Sequence, residues 1–294
     1  MTFLDRLENR SIHVLREAYA AFGRDLAMLW SMGKDSTALM WLARKAFLGR
    51  IPFPLVHIDT SFKIPDMIAY RDGTAREWGL DLIVGQNEAA LAGCRTFPDG
   101  AVGRLACCRL LKSDALRDTL DGRGPRKRLD PRTGRLKPWR SGRAFHAVIA
   151  AIRADEEGSR SKERYFSPRS GEHFWDPAQQ PPEFWNLYNV DFPAGTQVRV
   201  HPLLEWREAD VWEYVDREKI PLVDLYYDRG DGLRYRSLGC APCTTPIESA
   251  SKTPAEIVAE LKTGDLKDVA ERSGRAQDDE DRGTLEGLRR EGYM

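Results

Sequence analysis

Leu26-Ala27-Met28-Leu29-Trp30-Ser31-Met32-Gly33-Lys34-Asp35-Ser36-Thr37 is the stretch that decides the fold. A short apolar run, Leu26 to Trp30, reads as a strand and ends in a turn of small, polar and charged residues. Apolar positions at Ala38, Leu39, Trp41, Leu42 and Ala46 then predict a helix to about Phe47. A strand–turn–helix junction of this composition aims several backbone N–H groups at one spot. Those donors, the helix dipole and the Lys34 ammonium together make an anion site. The spacing is not Gly-x4-Gly-Lys-Ser/Thr, so the turn is not a Walker loop.

The pattern repeats downstream. Residues 54–60, Pro-Leu-Val-His-Ile-Asp-Thr, are apolar on both faces, as a parallel strand buried under helices would be. A helix over 64–78 and a strand at Leu82-Ile83-Val84 follow. The order β-α-β-α-β predicts an α/β protein built on a doubly wound, mostly parallel sheet, with ligands at the strand C-termini. Helical spacing of Leu4, Leu7, Ile12, Leu15 and Tyr19 predicts a helix over 3–22, and residues 105–119 also read as helical. Arg123 to Arg143 holds nine Lys/Arg and one acid, with Gly and Pro scattered through it. This basic insertion, 121–143, reads as a hairpin turning at Pro131-Arg132-Thr133-Gly134: a solvated arm, or a contact for a polyanion.

Ala144 to Ile152 is a further apolar strand. It leads into Arg153-Ala154-Asp155-Glu156-Glu157-Gly158-Ser159-Arg160-Ser161-Lys162-Glu163-Arg164. Such a block can be simple salt pairing, but its place directly after a buried strand favours an active-site loop. Residues 165–186 show neither helical nor strand period; a short strand at Val198–Leu203, a helix at Glu208–Arg217 and another from Pro254 to Lys262 follow. Residues 1–250 thus read as one domain and 251–294 as a helical, charged C-terminal extension, ordered from Asp265 onward by docking rather than by a core of its own.

The 45 basic and 45 acidic residues cancel, so no global field favours nucleic acid or a membrane surface. No stretch approaches the roughly 18 apolar residues of a membrane span. The first residues read as an amphipathic helix, not a signal peptide, which suits a cytoplasmic protein. Five cysteines are too few for a disulfide scaffold, and an odd count points to metal or redox use. Cys107 and Cys108 are adjacent, while Cys240 and Cys243 frame a Cys-Ala-Pro-Cys turn. Two such pairs can ligate a 4Fe–4S cluster or a structural zinc, or be four unrelated buried thiols. Adjacent cysteines on a helix fit one tetrahedral zinc poorly, whereas a cubane offers separate iron corners. Cys94 has no partner by spacing.

The loop resembles the Ser-Gly-Gly-x-Asp-Ser loop of the N-type ATP pyrophosphatases, with Met32 at the first glycine. Residues 11–17, 33–36, 43–47 and 51–60, the 153–164 block and the ending 289–293 are similar to the small, ATP-binding subunit of bacterial sulfate adenylyltransferase. The resemblance implies an adenine nucleotide α-hydrolase-like fold and adenylyl transfer. ATP would lie on Ser31, Gly33, Lys34, Asp35 and Ser36, with Asp59 near the nucleotide or its Mg²⁺. Lys34 and Asp35 would serve the chemistry, and Arg153, Arg160, Lys162 and Arg164 would grip sulfate and the α-phosphate. It also implies a GTPase large subunit as partner. The Cys-Cys…Cys-x-x-Cys arrangement is similar instead to that of the cluster-bearing adenylylsulfate reductases. A reductase activity is excluded by the lack of any cysteine after Cys243. The adenylyltransferases need no such cluster, carry a longer segment before Leu238, and lack the basic arm. Those departures keep open a second reading: a sulfurtransferase of the same fold that adenylylates an acceptor such as a nucleic acid and takes sulfur from a cysteine desulfurase.

Overall fold

The computed structural model describes residues 1–158, 160–185, 187–264, 266, 269, 271 and 290. Ser159, the ending 289–293 apart from Arg290, and most of the extension beyond Gly264 lie outside the described residues. The chain begins with α1 (Phe3–Phe22), then β1 (Leu26–Leu29), α2 (Lys34–Ala46), β2 (Leu55–Ile58), α3 (Pro65–Glu77) and β3 (Leu82–Gly85). These follow the sequence pattern to within a few residues. A short α4 (Glu88–Ala92) precedes the helical stretch expected at 105–119. That stretch is broken: α5 (Arg104–Cys108) passes through a π-turn at Arg109–Asp114 into α6 (Ala115–Leu120). The π-turn widens the helix directly after the paired cysteines, a disruption that periodicity does not reveal.

The basic arm forms the expected hairpin, β4 (Arg126–Leu129) and β5 (Leu136–Pro138). It is not a free arm, because β4 pairs antiparallel with β3 and extends the sheet. Then come β6 (Ala147–Ile149), β7 (Phe166–Arg169), β8 (Gln197–Val200) and α7 (Glu208–Glu218). A two-stranded ribbon, β9 (Leu233–Arg234) with β10 (Ile247–Glu248), and α8 (Pro254–Thr263) complete the described elements. Strand β7 lies inside 165–186, where no strand period was legible. Its alternation is hidden because Ser167 and Arg169 are buried and satisfied by Gln180 and Glu163. Its Pro168 is tolerated because the strand lies at the sheet edge.

The large sheet runs β5-β4-β3-β2-β1-β6-β8-β7. Strands β3, β2, β1, β6 and β8 are mutually parallel; antiparallel strands cap both edges. Leu26 and Met28 face one apolar layer with α1 and α2, while Ala27 and Leu29 face another with Leu116, Leu120 and Phe145. Burial on both faces explains why the central strands read as continuous apolar runs. From β1 the winding leaves toward β2 on one side and toward β6 on the other. The reversal opens a crevice beyond the C-terminal ends of β1 and β6, where α/β sheets hold their ligands. The 31–36 and 150–164 segments both emerge there.

Close packing under the sheet is testable at Gly85, where an added Cβ would meet Thr119 Oγ1 at 1.9 Å. Gly85→Ala is expected to destabilise by about 1–3 kcal/mol in urea melts. Thr119→Ala in the same chain should recover part of that loss; no recovery would place the clash elsewhere.

Candidate active site

The site begins with the turn after β1. Met32, at the position where the resembling family has glycine, adopts φ 62° and is fully buried. A methionine is thus held in the left-handed region, and its burial in the core compensates for the strain. Ser31 and Ser36 hydroxyls lie 3.1 Å apart across the turn, and Ser36 Oγ donates to Gly33 O (3.0 Å). The Lys34 N–H, among the first of α2, donates to the Tyr226 hydroxyl (2.8 Å). A hydroxyl from the distant 224–226 turn therefore helps to fix the loop.

Arg153, fully buried, crosses from the end of β6 to the loop after β1. Its guanidinium pairs with Asp35, with Asp155 (3.0 Å) and with Glu271. Lys34, 1% exposed, faces Asp35 (3.3 Å), Glu208 (3.9 Å) and Glu271. Burial alone would lower the Lys34 pKa, but Asp35, Glu271 and Glu208 outweigh it and hold the ammonium above its ordinary value. Burial raises Glu208, and the nearby Glu271 raises it further. Glu271 goes the other way: burial opposes its charge, yet Arg153 and Lys34 hold it well below the usual carboxylate range. Arg236 closes the network on Glu208 through Nη2 (2.8 Å) and Nε (3.2 Å). Asp155 also accepts the Glu208 N–H at the start of α7 (3.0 Å), which joins the 153–164 segment to that helix.

Beside this network lies an open cleft. Ser31, Gly33, Lys34, Asp35, Ser36 and Arg160 line it, with Leu29, Ala150 and Ile152 as an apolar wall. Arg160 is steadied by Glu156. Arg153, Lys162 and Arg164 do not line the cleft: Arg153 is fully buried behind Asp35 and Glu271, and the other two side chains are exposed. Asp59 is also outside it: one oxygen accepts the Ser61 N–H (2.8 Å) and the other faces Arg71 (3.7 Å). Residue patterns had not singled out Lys63, Lys112, Tyr226, Ser237 and Glu271, which line the cleft too. Lys112, one helical turn after Cys108, and Ser237, three residues before Cys240, stand beside the cysteine motifs.

The four motif cysteines come together. Cys107, Cys108, Cys240 and Cys243 line one small, tight pocket with Phe62, Phe97, Leu111 and Pro242. The Ala241 N–H donates to Phe62 O (2.7 Å), and Thr60 Oγ1 lies 3.2 Å from Cys240 Sγ. Lys112 lines both this pocket and the cleft, and its ammonium reaches Cys108 Sγ (3.5 Å). Burial pushes the Cys107 and Cys243 thiols up, and the neighbouring sulfurs add to the effect. Cys94 is exposed and separate. Among the described residues, no three His, Cys, Asp or Glu side chains are close enough to hold a single metal ion. No helix among them is long and apolar enough to cross a membrane.

A parallel sheet with a cationic turn at its switch point defines a class. The chain belongs to the phosphoadenosine phosphosulfate reductase domain family, which matches residues 25–246. Its full-length relatives are more particular. Sulfate adenylyltransferase subunit 2 of Rhizobium etli is 40% identical over 99% of this chain and 93% of its own length. The protein of the same name from Geotalea daltonii is 38% identical over 100% of this chain and 99% of its own length. The fold is shared with a yeast FAD synthetase crystallised with FAD, at TM-score 0.50 and 15% identity over 94% of this chain and 92% of that one.

The exit of the 153–164 segment is pinned by a buried cluster. Glu163 pairs with Arg169 (2.7 Å), and His201 Nδ1 bonds to Arg164 O (2.8 Å). Burial is the main force lowering the His201 pKa from 6.5 to about 4, so the folded protein holds a neutral imidazole. Its contribution is complete above about pH 6.5 and declines as the pH falls toward 4. Between pH 7 and 4.5, urea melts should show about 2–3 kcal/mol of lost stability attributable to His201. A His201→Gln variant should lack that component of the slope; an unchanged slope would contradict the assignment.

Proposed function

We propose that this chain transfers the adenylyl group of Mg²⁺–ATP to sulfate, forming adenylylsulfate and releasing pyrophosphate, as the nucleotide-binding subunit of a two-subunit enzyme. The observation that carries this reading is the relationship to sulfate adenylyltransferase subunit 2 across 99% of the chain. The cleft supports it. A triphosphate laid along residues 31–36 would meet the start of α2 and the Lys34 ammonium. Leu29, Ala150 and Ile152 offer the base an apolar wall.

In this reading a sulfate oxygen attacks the α-phosphorus in line. The new O–P bond forms as the bond to the β-phosphate oxygen breaks, and pyrophosphate leaves with that electron pair. Lys34 neutralises the charge developing on the leaving group. Arg153 and Arg160 flank the reacting centre and orient the two anions, while Asp35 positions Arg153 through their ion pair. Lys162 and Arg164, exposed outside the cleft, would reach the acceptor only from its rim. Asp59 would act through the segment after β2 rather than on the metal directly. The name subunit 2 of the relatives implies a larger partner subunit, for which we propose a GTPase, because forming adenylylsulfate is strongly uphill. A cytoplasmic location suits free thiols in this number.

We further propose that Cys107, Cys108, Cys240 and Cys243 hold a 4Fe–4S cluster. The convergence of all four thiols on one apolar-walled pocket supports that donor set. When bound, such a cluster supplies redox chemistry or an exchangeable sulfur. The shared Lys112 wall between pocket and cleft favours the second reading: a sulfurtransferase acting on an adenylylated acceptor such as a nucleic acid, supplied by a cysteine desulfurase.

Combined with its larger subunit, the protein should release pyrophosphate from ATP only when sulfate is present. Sulfate-independent release driven by RNA or DNA would select the second reading. Lys34→Met, checked for folding by circular dichroism, should lower sulfate-dependent turnover about 10²–10³-fold. Anaerobically purified protein should be brown and carry about four iron atoms per chain. Cys107→Ala and Cys243→Ala should lose both colour and iron; colourless, iron-free wild-type protein would remove the cluster.

A further inference from the structure

Glu271 stands apart from the rest of the ion network. It belongs to the C-terminal extension, 237 residues away in sequence from Lys34, yet only 7% of its side chain is exposed. Its two carboxylate oxygens divide between the Lys34 ammonium and the Arg153 guanidinium. Two residues before it, Val269 O accepts from Arg236 Nη1 (2.9 Å). The carboxylate thus lies against the loop where the start of α2 and two buried cations converge.

Within the ion pairs of Lys34, Arg153 and Arg236, Glu271 is the added carboxylate. Lys34 already faces Asp35 and Glu208, Arg153 already has Asp35 and Asp155, and Arg236 is satisfied by Glu208. Three cations therefore meet three carboxylates before Glu271 is added. Asp35, Asp155 and Glu208 are fixed by the first turns of α2 and α7 or by the strand end they follow. Glu271 alone arrives from outside the sheet and its helices. A phosphate chain on the 31–36 loop would bring further negative charge against the same two cations, in a place too buried for water to screen the repulsion.

We propose that Glu271 is a built-in competitor for the anion subsite of the cleft. Its carboxylate occupies the grip that Lys34 and Arg153 form for a phosphate or sulfate group, and it leaves when such a ligand binds. The inference rests on the reading of the cleft as a triphosphate site. The nucleotide's intrinsic affinity is reduced by the fraction of molecules in which Glu271 is in place. By reciprocity, any contact that draws Glu271 out of the cleft raises the affinity for the phosphate-bearing ligand by the same factor.

The full-length chain and its Glu271→Gln and Glu271→Ala variants can be titrated calorimetrically with inorganic pyrophosphate and, separately, with adenosine. Both variants should bind pyrophosphate about tenfold more tightly than the wild type, with adenosine binding unchanged. Unchanged or weaker pyrophosphate binding in both variants would overturn the proposal and make Glu271 a support for Lys34 and Arg153. Loss of adenosine and pyrophosphate binding together would likewise mark it as structural. If the wild type and both variants bind adenosine but none binds pyrophosphate, the phosphate reading of the cleft fails, and the competition with it.

Discussion

The ion pair between Asp35 and Arg153 is the constraint on which the site depends. Asp35 sits in the first turn of α2, on the loop that leaves β1; Arg153 follows β6. These two strands are neighbours in the sheet, and the winding reverses between them. The pair therefore ties together the two loops that frame the crevice. Arg153 is fully buried, so the tie forms away from bulk water, where breaking one partner leaves an uncompensated charge. Through Asp155 and Glu208 the same network reaches α7. The helix on one face and the loop at the strand ends are set in register by charge rather than by apolar packing alone.

This arrangement suits chemistry in which little covalent work is asked of the protein. Adenylyl transfer needs a nucleophile held in line and a leaving group whose growing charge is neutralised. Lys34 and Arg153, held in place by Asp35, Asp155 and Glu208, are cations fixed before any ligand arrives. Tyr226 carries no charge; its hydroxyl accepts the Lys34 N–H and so helps to fix the loop backbone.

Much of this was legible in the chain. The β1 turn, the buried parallel strands and the helices between them announced themselves, because apolar runs and helical spacing are local signals. The cysteine pairs and the loops at 31–36 and 153–164 stood out for the same reason, and the structure brings the four cysteines to one pocket and both loops to one end of the sheet. Strand β7 was hidden, since its buried Ser167 and Arg169 are satisfied by polar partners and carry no apolar alternation. The π-turn after Cys108 was hidden because it changes the hydrogen-bond step, not the composition. Glu271, Tyr226 and Lys63 reach the cleft through tertiary approach, which no window of neighbouring residues encodes. Lys162, Arg164 and Asp59 show the converse: a charged residue inside a suggestive block need not point where the block suggests.

Lys112 lines both the cleft beside the 31–36 loop and the pocket of four thiols. Whichever acceptor is used, both readings require the nucleotide to lie on the same turn. The most direct test is a crystal structure of the protein with α,β-methylene ATP, which resists cleavage at the α-phosphorus. The account predicts that the triphosphate lies along residues 31–36, with Lys34 against the terminal phosphates and Arg153 or Arg160 beside the α-phosphate. A nucleotide bound elsewhere, or with its phosphates turned away from that loop, would contradict it.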